Sequence, residues 1–142
     1  MISGIENIGT MFGIFHDGDL RLHREGDGAL NLEIEIRYLA ERIDPSYKTF
    51  LLRLNQPRRL AFRPWWPEGH ILYEPLIEGV SLFSHELEIL SARLEGDGLS
   101  IVCNANTDAD FSGGDLYLEA DSAVVSDEVG REWSLDELLS LC

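Results

Sequence analysis

The stretch Phe15-His16-Asp17-Gly18-Asp19 places an imidazole, two carboxylates and a flexible glycine within five positions. A histidine oriented by a carboxylate is the usual form of a general base near neutral pH. Such a base needs a nucleophile or a second acid–base group to act with. The chain carries no G-x-S-x-G, no S-x-x-K and no Cys/His pairing that would supply one. The competing structural expectation has Phe15 entering the core, His16 bonded to a backbone group, and Asp17 or Asp19 supporting a turn. His16, Asp17 and Asp19 therefore stand as an alternative polar site of a small enzyme or a ligand- or metal-binding protein, and no residue is assigned a catalytic role.

Metal-binding chemistry has one candidate segment. His16, His23, His70 and His85 lack the H-E-x-x-H spacing that sets two imidazoles on one helical face. In Asn104-Ala105-Asn106-Thr107-Asp108-Ala109-Asp110 the oxygen-bearing residues Asn104, Asn106, Asp108 and Asp110 alternate as in a calcium loop. The run departs from the EF-hand form in having Ala109 where glycine is required and Asp115 where a bidentate glutamate closes the loop. An ordinary polar loop is the expected reading, with calcium as the alternative. The glycine-rich turns here set glycine beside carboxylates and carry no Lys with Ser or Thr, so no glycine-rich phosphate cradle is legible and no cofactor is expected.

Two further features concern recognition. Trp65-Trp66, flanked by Pro64 and Pro67, would be costly as exposed surface unless it covers an open core edge or meets a partner. Glu33 and Glu35, with Glu86, Glu88, Asp108, Asp110 and Asp115, form one negative patch if neighbouring strands align. Eleven lysines and arginines against 26 aspartates and glutamates leave a formal charge of −15. That field repels nucleic-acid backbones and anionic membrane surfaces, and it speeds encounter with a basic protein. Solubility alone also accounts for acidity.

The elements that position these groups are mostly strands. Residues 1–142 read as a single domain, since a domain takes about 150 residues, and 44% hydrophobic content is enough for one core. From Leu30 to Tyr38 every even position is apolar and every odd one polar, a strand with one wet face. With Leu20-Arg21-Leu22-His23 and the turn Glu25-Gly26-Asp27-Gly28 it predicts a hairpin, and Glu95-Gly96-Asp97-Gly98 predicts a second between residues 90–94 and 99–103. Segments 49–54, 59–62, 116–120 and 123–125 add strands, with Gly113-Gly114 as a turn. The prolines make 64–69 a loop at which ladder pairing should stop.

Ser134-Leu135-Asp136-Glu137 is a capping box with Trp133 and Leu138 placed for a hydrophobic staple, so a helix starts at Leu135. Leu135, Leu138, Leu139 and Leu141 are expected to face the sheet. Ile2, Ile5, Ile8 and Phe12 fit an N-terminal helix weakened by Gly4 and Gly9. The expected class is α+β, mainly β: an antiparallel sheet or sandwich of about seven strands with a short C-terminal helix and an N-terminal one.

The N-terminal residues lack a signal-peptide pattern, and charges interrupt every apolar run, so no membrane span is expected. Cys103 and Cys142 give neither a disulfide framework nor a zinc spacing, which fits a reducing cytoplasm. Phe15-His16-Asp17-Gly18, followed by an alternating hairpin, further strands and a short acidic helix, resembles the F-H-D motif of small bacterial proteins of largely unknown function. Some of these are classed as immunity proteins of polymorphic-toxin systems. The resemblance implies a cytoplasmic protein that neutralises a toxin by binding it, with a basic toxin domain as partner and no catalytic residue to carry over. Trp65, Trp66, Glu33 and Glu35 are the candidate protein-binding residues.

Overall fold

Alternating apolar and polar residues account for most of the architecture. The computed structural model describes residues 1–24, 28–65, 77–78, 83, 86–105 and 112–142. Among these the order is β1 (Ile2–Ser3), α1 (Ile5–Ile14), β2 (Asp19–Arg24), β3 (Ala29–Glu35), α2 (Arg37–Ala40), β4 (Thr49–Asn55), β5 (Arg58–Trp65), β6 (Ile77–Glu78) and β7 (Leu87–Glu95). Then follow β8 (Gly98–Ala105), β9 (Gly113–Glu119), β10 (Ser122–Ser126), β11 (Glu132–Trp133) and α3 (Leu135–Leu139). The protein is α+β and mainly β. Among the described residues there are eleven strands against the about seven expected, and they form one antiparallel sheet, the first of the two expected arrangements.

The strand order is β1-β10-β4-β3-β2-β7-β8-β9-β5-β6, with β11 on β10. That ladder order is open, yet its two ends are tied by the chain itself. β4 runs through Gln56 and Pro57 into β5, and β9 runs through Ala120 and Asp121 into β10. β4 pairs with β10 on one side of this bend and β5 with β9 on the other. At the waist between them Asn55 O accepts from Asp121 N at 3.0 Å, and Arg58 donates to Gln56 O (3.0 Å) and Asp121 Oδ1 (2.9 Å). Gln56 and Arg59 take left-handed φ values of 54° and 53° to make the turn.

The sheet curls around α1, which contacts β7 and β8 on one side and β1 and β10 on the other. Ile8, Met11, Phe12 and Ile14 enter the core from this helix. Gly9 is a packing position, because a Cβ there would stand 2.9 Å from Leu99 Cδ2 on β8. From the sheet, Leu20, Leu32, Ile34, Phe50, Leu52 and Leu54 are all fully buried. Phe15 packs on Phe50 with ring centroids 5.2 Å apart. At about 25 cal/mol per Å² of apolar surface, each such side chain contributes about 1.5–3 kcal/mol.

Several local expectations are corrected. The strand read as 30–38 ends at Glu35, because Ile36, Leu39 and Ala40 shift to helical spacing and turn inward with α2. Pairing does not stop at Pro64: β5 continues through Pro64 and Trp65 opposite Gly114 and Gly113. Proline is tolerated there because, among the described residues, the other edge of β5 is paired only at Ala61 and Phe62. Gly113-Gly114 is strand rather than turn. A Cβ on either would collide with the neighbouring backbone at Cys103 O or Arg63 O, so these glycines permit close strand approach.

The second hairpin forms as expected, with Glu95 opposite Gly98 and Gly96 at φ 59°, the glycine-first pattern of a type II′ turn. Glu25, Gly26 and Asp27 of the first lie outside the described residues. At the C-terminal helix both halves of the capping box are made, Glu137 N to Ser134 Oγ at 3.1 Å and Ser134 N to Glu137 Oε1 at 2.9 Å. Leu138 and Trp133 are both buried, whereas Leu139 points outward at 45% exposure because α3 docks on α1 through one narrow face. No helix is long and apolar enough to cross a membrane among the described residues.

Candidate functional site

Cross-strand register collects the acidic residues. Glu35 on β3 lies opposite Asp19 on β2, and Asp19 lies opposite Glu88 on β7. Glu88 pairs with Asn104 on β8, Asn104 with Gly113 on β9, and Gly113 with Trp65 on β5. Directly paired residues share a face, so Glu35, Asp19, Glu88, Asn104 and Trp65 form one row on the outer side of the sheet. Five inter-strand steps of about 4.8 Å make it about 24 Å long.

Gly113 shapes the end of this row. The Trp65 ring edge, Cε3, stands 3.2 Å from where a Cβ of Gly113 would be, so the indole lies over the glycine. Trp65 remains 37% exposed, and its Nε1 donates to Asp115 Oδ2 at 3.4 Å.

One arginine organises the carboxylates. Arg21 on β2 donates to Glu86 (2.9 Å), Glu33 (3.2 Å) and Glu35 (3.0 Å). Burial opposes its charge, but hydrogen bonds to Glu33 and Glu35 outweigh that, so the guanidinium pKa is raised. Each of these ion pairs is about a third to a half exposed and stabilises little by itself. Their effect is positional: one cation holds three flexible carboxylates, two on β3 and one just before β7. With Asp19 and Glu88 the cluster has five carboxylates and one guanidinium, and four negative charges are left over. Asp19 shows the strain, its pKa raised first by burial and then by Glu86, Glu88 and Glu35, with Arg21 as a partial offset. Asn104 Nδ2 donates to Glu88 Oε1 at 3.0 Å.

The histidine segment is a corner between α1 and β2. His16 Nδ1 lies 2.8 Å from Gly13 O at the end of the helix. Asp17 takes φ 70°, its N–H donates to Ile89 O at 2.7 Å, and Gly18 O accepts from Ile89 N at 2.9 Å. A Cβ on Gly18 would stand 2.8 Å from Ile34 Cγ2 and 2.9 Å from Phe15 O. Each residue type of Phe15-His16-Asp17-Gly18 thus has a place in joining helix, β2 and β7. His16 and Asp17 line a groove of about 420 Å³ with Tyr38 and Arg42, while Asp19 belongs to the acidic row. The structure does not bring His16, Asp17 and Asp19 into one constellation.

Of the metal candidates, Asn104 is the only described residue, and Asn106, Asp108 and Asp110 lie outside the described residues, as does Trp66. Among the described residues no three His, Cys, Asp or Glu side chains converge to hold a metal ion. The structure sets Glu33 and Glu35 around Arg21 and puts Trp65 at the far end of the row; sequence reasoning missed Arg21 as the hub of the glutamates and grouped Asp19 with His16 and Asp17. The signal available was the period of two, which puts Asp19 and Arg21 on one face of β2. Compared with known proteins, the chain matches no family model, no curated protein and no solved structure.

Proposed function

We propose that this protein is a non-enzymatic binding module whose acidic outer face takes a basic segment of a partner protein, in the manner of an immunity protein docking on a toxin domain. The observation that carries this reading is the row from Glu35 through Asp19 and Glu88 to Trp65, with four negative charges uncompensated around Arg21. Carboxylates held in place before binding lose little entropy on pairing with lysine or arginine, and an exposed indole offers a cation–π seat at the row's end. The net charge of −15 adds long-range steering to a basic partner.

The test is affinity capture from the native cytoplasm at low and high salt, with wild-type protein and the Glu35→Lys/Glu88→Lys variant. A basic protein retained by the wild type, released by salt and not captured by the variant is the expected result. Capture that ignores both salt and the charge reversal would overturn the reading.

A further inference from the structure

Arg63 on β5 lies directly opposite Asp115 on β9, a cation facing an anion across neighbouring strands, yet the two form no ion pair. Asp115 instead accepts from Trp65 Nε1 through Oδ2 at 3.4 Å, and its Oδ1 has no hydrogen bond among the described residues. Arg93 on β7 lies opposite Ser100 on β8, Ser100 opposite Tyr117 on β9, and Tyr117 opposite Ala61 on β5. Among the described residues neither Arg63 nor Arg93 makes a side-chain hydrogen bond or an ion pair. In a chain with 26 aspartates and glutamates against eleven lysines and arginines, two such guanidiniums stand out.

Both arginines line one hollow of about 460 Å³ on the outer face, within the size range of small-ligand sites. The small side chains of Ser100 and Ala61 leave this space between them. Tyr117 is a fixed wall, its ring over Gly98 and its hydroxyl donating to Glu119 Oε2 at 2.8 Å. Asp115 lines the hollow beside Arg63, and Glu95 lines it beyond Arg93, at the hairpin end of β7. The two arginines are exposed and enter from opposite sides, three inter-strand steps of about 4.8 Å apart.

We propose that this hollow binds an acidic α-amino acid, with Arg63 on the α-carboxylate, Asp115 on the α-ammonium and Arg93 on the side-chain carboxylate. A guanidinium and a carboxylate that face each other without pairing suit a ligand carrying the reverse pair, an anion and a cation on adjoining atoms. A second guanidinium across the hollow suits a second anion on the same molecule. A plain dicarboxylate leaves Asp115 unanswered and meets its repulsion, and a neutral amino acid leaves Arg93 unused. Two carboxylates balance two guanidiniums in the lining, so the hollow has no net charge with which to draw a simple anion. Repulsion from the rest of the acidic chain is screened beyond about 8–10 Å at ordinary salt, so the ligand can reach the site. The assignment does not rest on the acidic row or its partner.

The test titrates the whole isotope-labelled protein with glutamate, glutarate and glutamine at constant pH and ionic strength, following amide shifts by NMR. Expected are saturable shifts at Arg63, Arg93, Ser100 and Asp115 with millimolar glutamate. Binding should be about tenfold weaker for glutarate, which lacks the ammonium, and for glutamine, which lacks the second carboxylate. Arg93→Gln should erase the preference for glutamate over glutamine and leave the affinity for glutamine unchanged. Asp115→Asn should erase the preference for glutamate over glutarate. Arg93 is exposed and holds no partner, so the spectrum of Arg93→Gln should stay dispersed, and a lost preference then reports recognition rather than folding. No saturable shifts with millimolar glutamate, shifts centred outside the hollow, glutarate or glutamine bound as tightly as glutamate, or either preference surviving its substitution would each overturn the proposal.

Discussion

Replacing Asp19 by asparagine should make the protein more stable. Asp19 lies directly opposite two glutamates, Glu35 and Glu88, and among the described residues its carboxylate makes no side-chain hydrogen bond that the amide would break. Like charges placed opposite one another across strands oppose pairing by about 0.2–1 kcal/mol each. Loss of the attraction to Arg21 offsets part of the relief, so Asp19→Asn should gain about 0.5–1 kcal/mol at neutral pH. The sign of the pH dependence follows from the raised pKa. The folded state holds the Asp19 proton above the ordinary value of 3.8 at which the unfolded chain releases it. Between those two values the folded state binds more protons, so this residue's contribution to stability falls as pH rises through the window. Urea denaturation of both proteins across pH, at low and at molar salt, measures the effect. The gain should vanish below the ordinary aspartate value, where Asp19 is neutral, and shrink in molar salt, where screening acts over about 3 Å. An Asp19→Asn protein no more stable than wild type at neutral pH, or a gain indifferent to salt, would refute the reasoning. Under the proposed function the same substitution weakens the basic partner's binding, so the residue trades stability for recognition.

Asp127 is 2% exposed and accepts from Val129 N, Arg131 N and Trp133 Nε1, each at 3.0 Å, so Asp127→Ala should cost about 2–4 kcal/mol in urea denaturation by leaving these donors unpaired. Gln56 sits at φ 54°, where a side chain costs about 1–2 kcal/mol and glycine does not; after glycine's greater unfolded entropy, Gln56→Gly should raise stability by about 0.5 kcal/mol in the same assay. Cys103 is fully buried, and burial pushes its thiol pKa up to about 12, with Asp115 adding to the rise. A thiol reagent at neutral pH should therefore modify exposed Cys142 at once and Cys103 only after denaturant is added; equal rates in the native protein would contradict the buried placement.

What the sequence made legible was local. The alternation in β3, the capping box at Ser134 and the apolar spacing of α1 are each written within a few residues, and all three form. Pro64 and Gly113-Gly114 misled because their local chemistry speaks for loops, while their use depends on an unpaired edge and on a neighbouring backbone fifty positions away. Glu33 and Glu35 could be placed on a wet face by period alone. That Arg21 would hold them, or that Asp19 would meet Glu88, required knowing that β2 lies beside β7, and no local pattern encodes the pairing of residues 19 and 88. The same holds for Arg63, Asp115 and Arg93, which come from three strands. Trp65 over Gly113 depends on a register between distant segments.

The waist where β4 passes into β5 and β9 into β10 orders events in time. Asn55 and Ser122 meet there through a side-chain hydrogen bond of 3.0 Å across 67 positions, and the chain between them builds β5 to β9. Joining those positions costs on the order of 4 kcal/mol in loop-closure entropy before any contact at the waist repays it. The β2–β3 and β7–β8 hairpins close far shorter loops and need not wait. Assembly is thus expected to run from two hairpin-centred halves to their union, with Gln56, Arg58 and Asp121 engaging last. Contacts made after the rate-limiting step govern how long the native state lasts rather than how fast it forms. The narrow crossing between the halves is, on this reasoning, the protein's latch against unfolding.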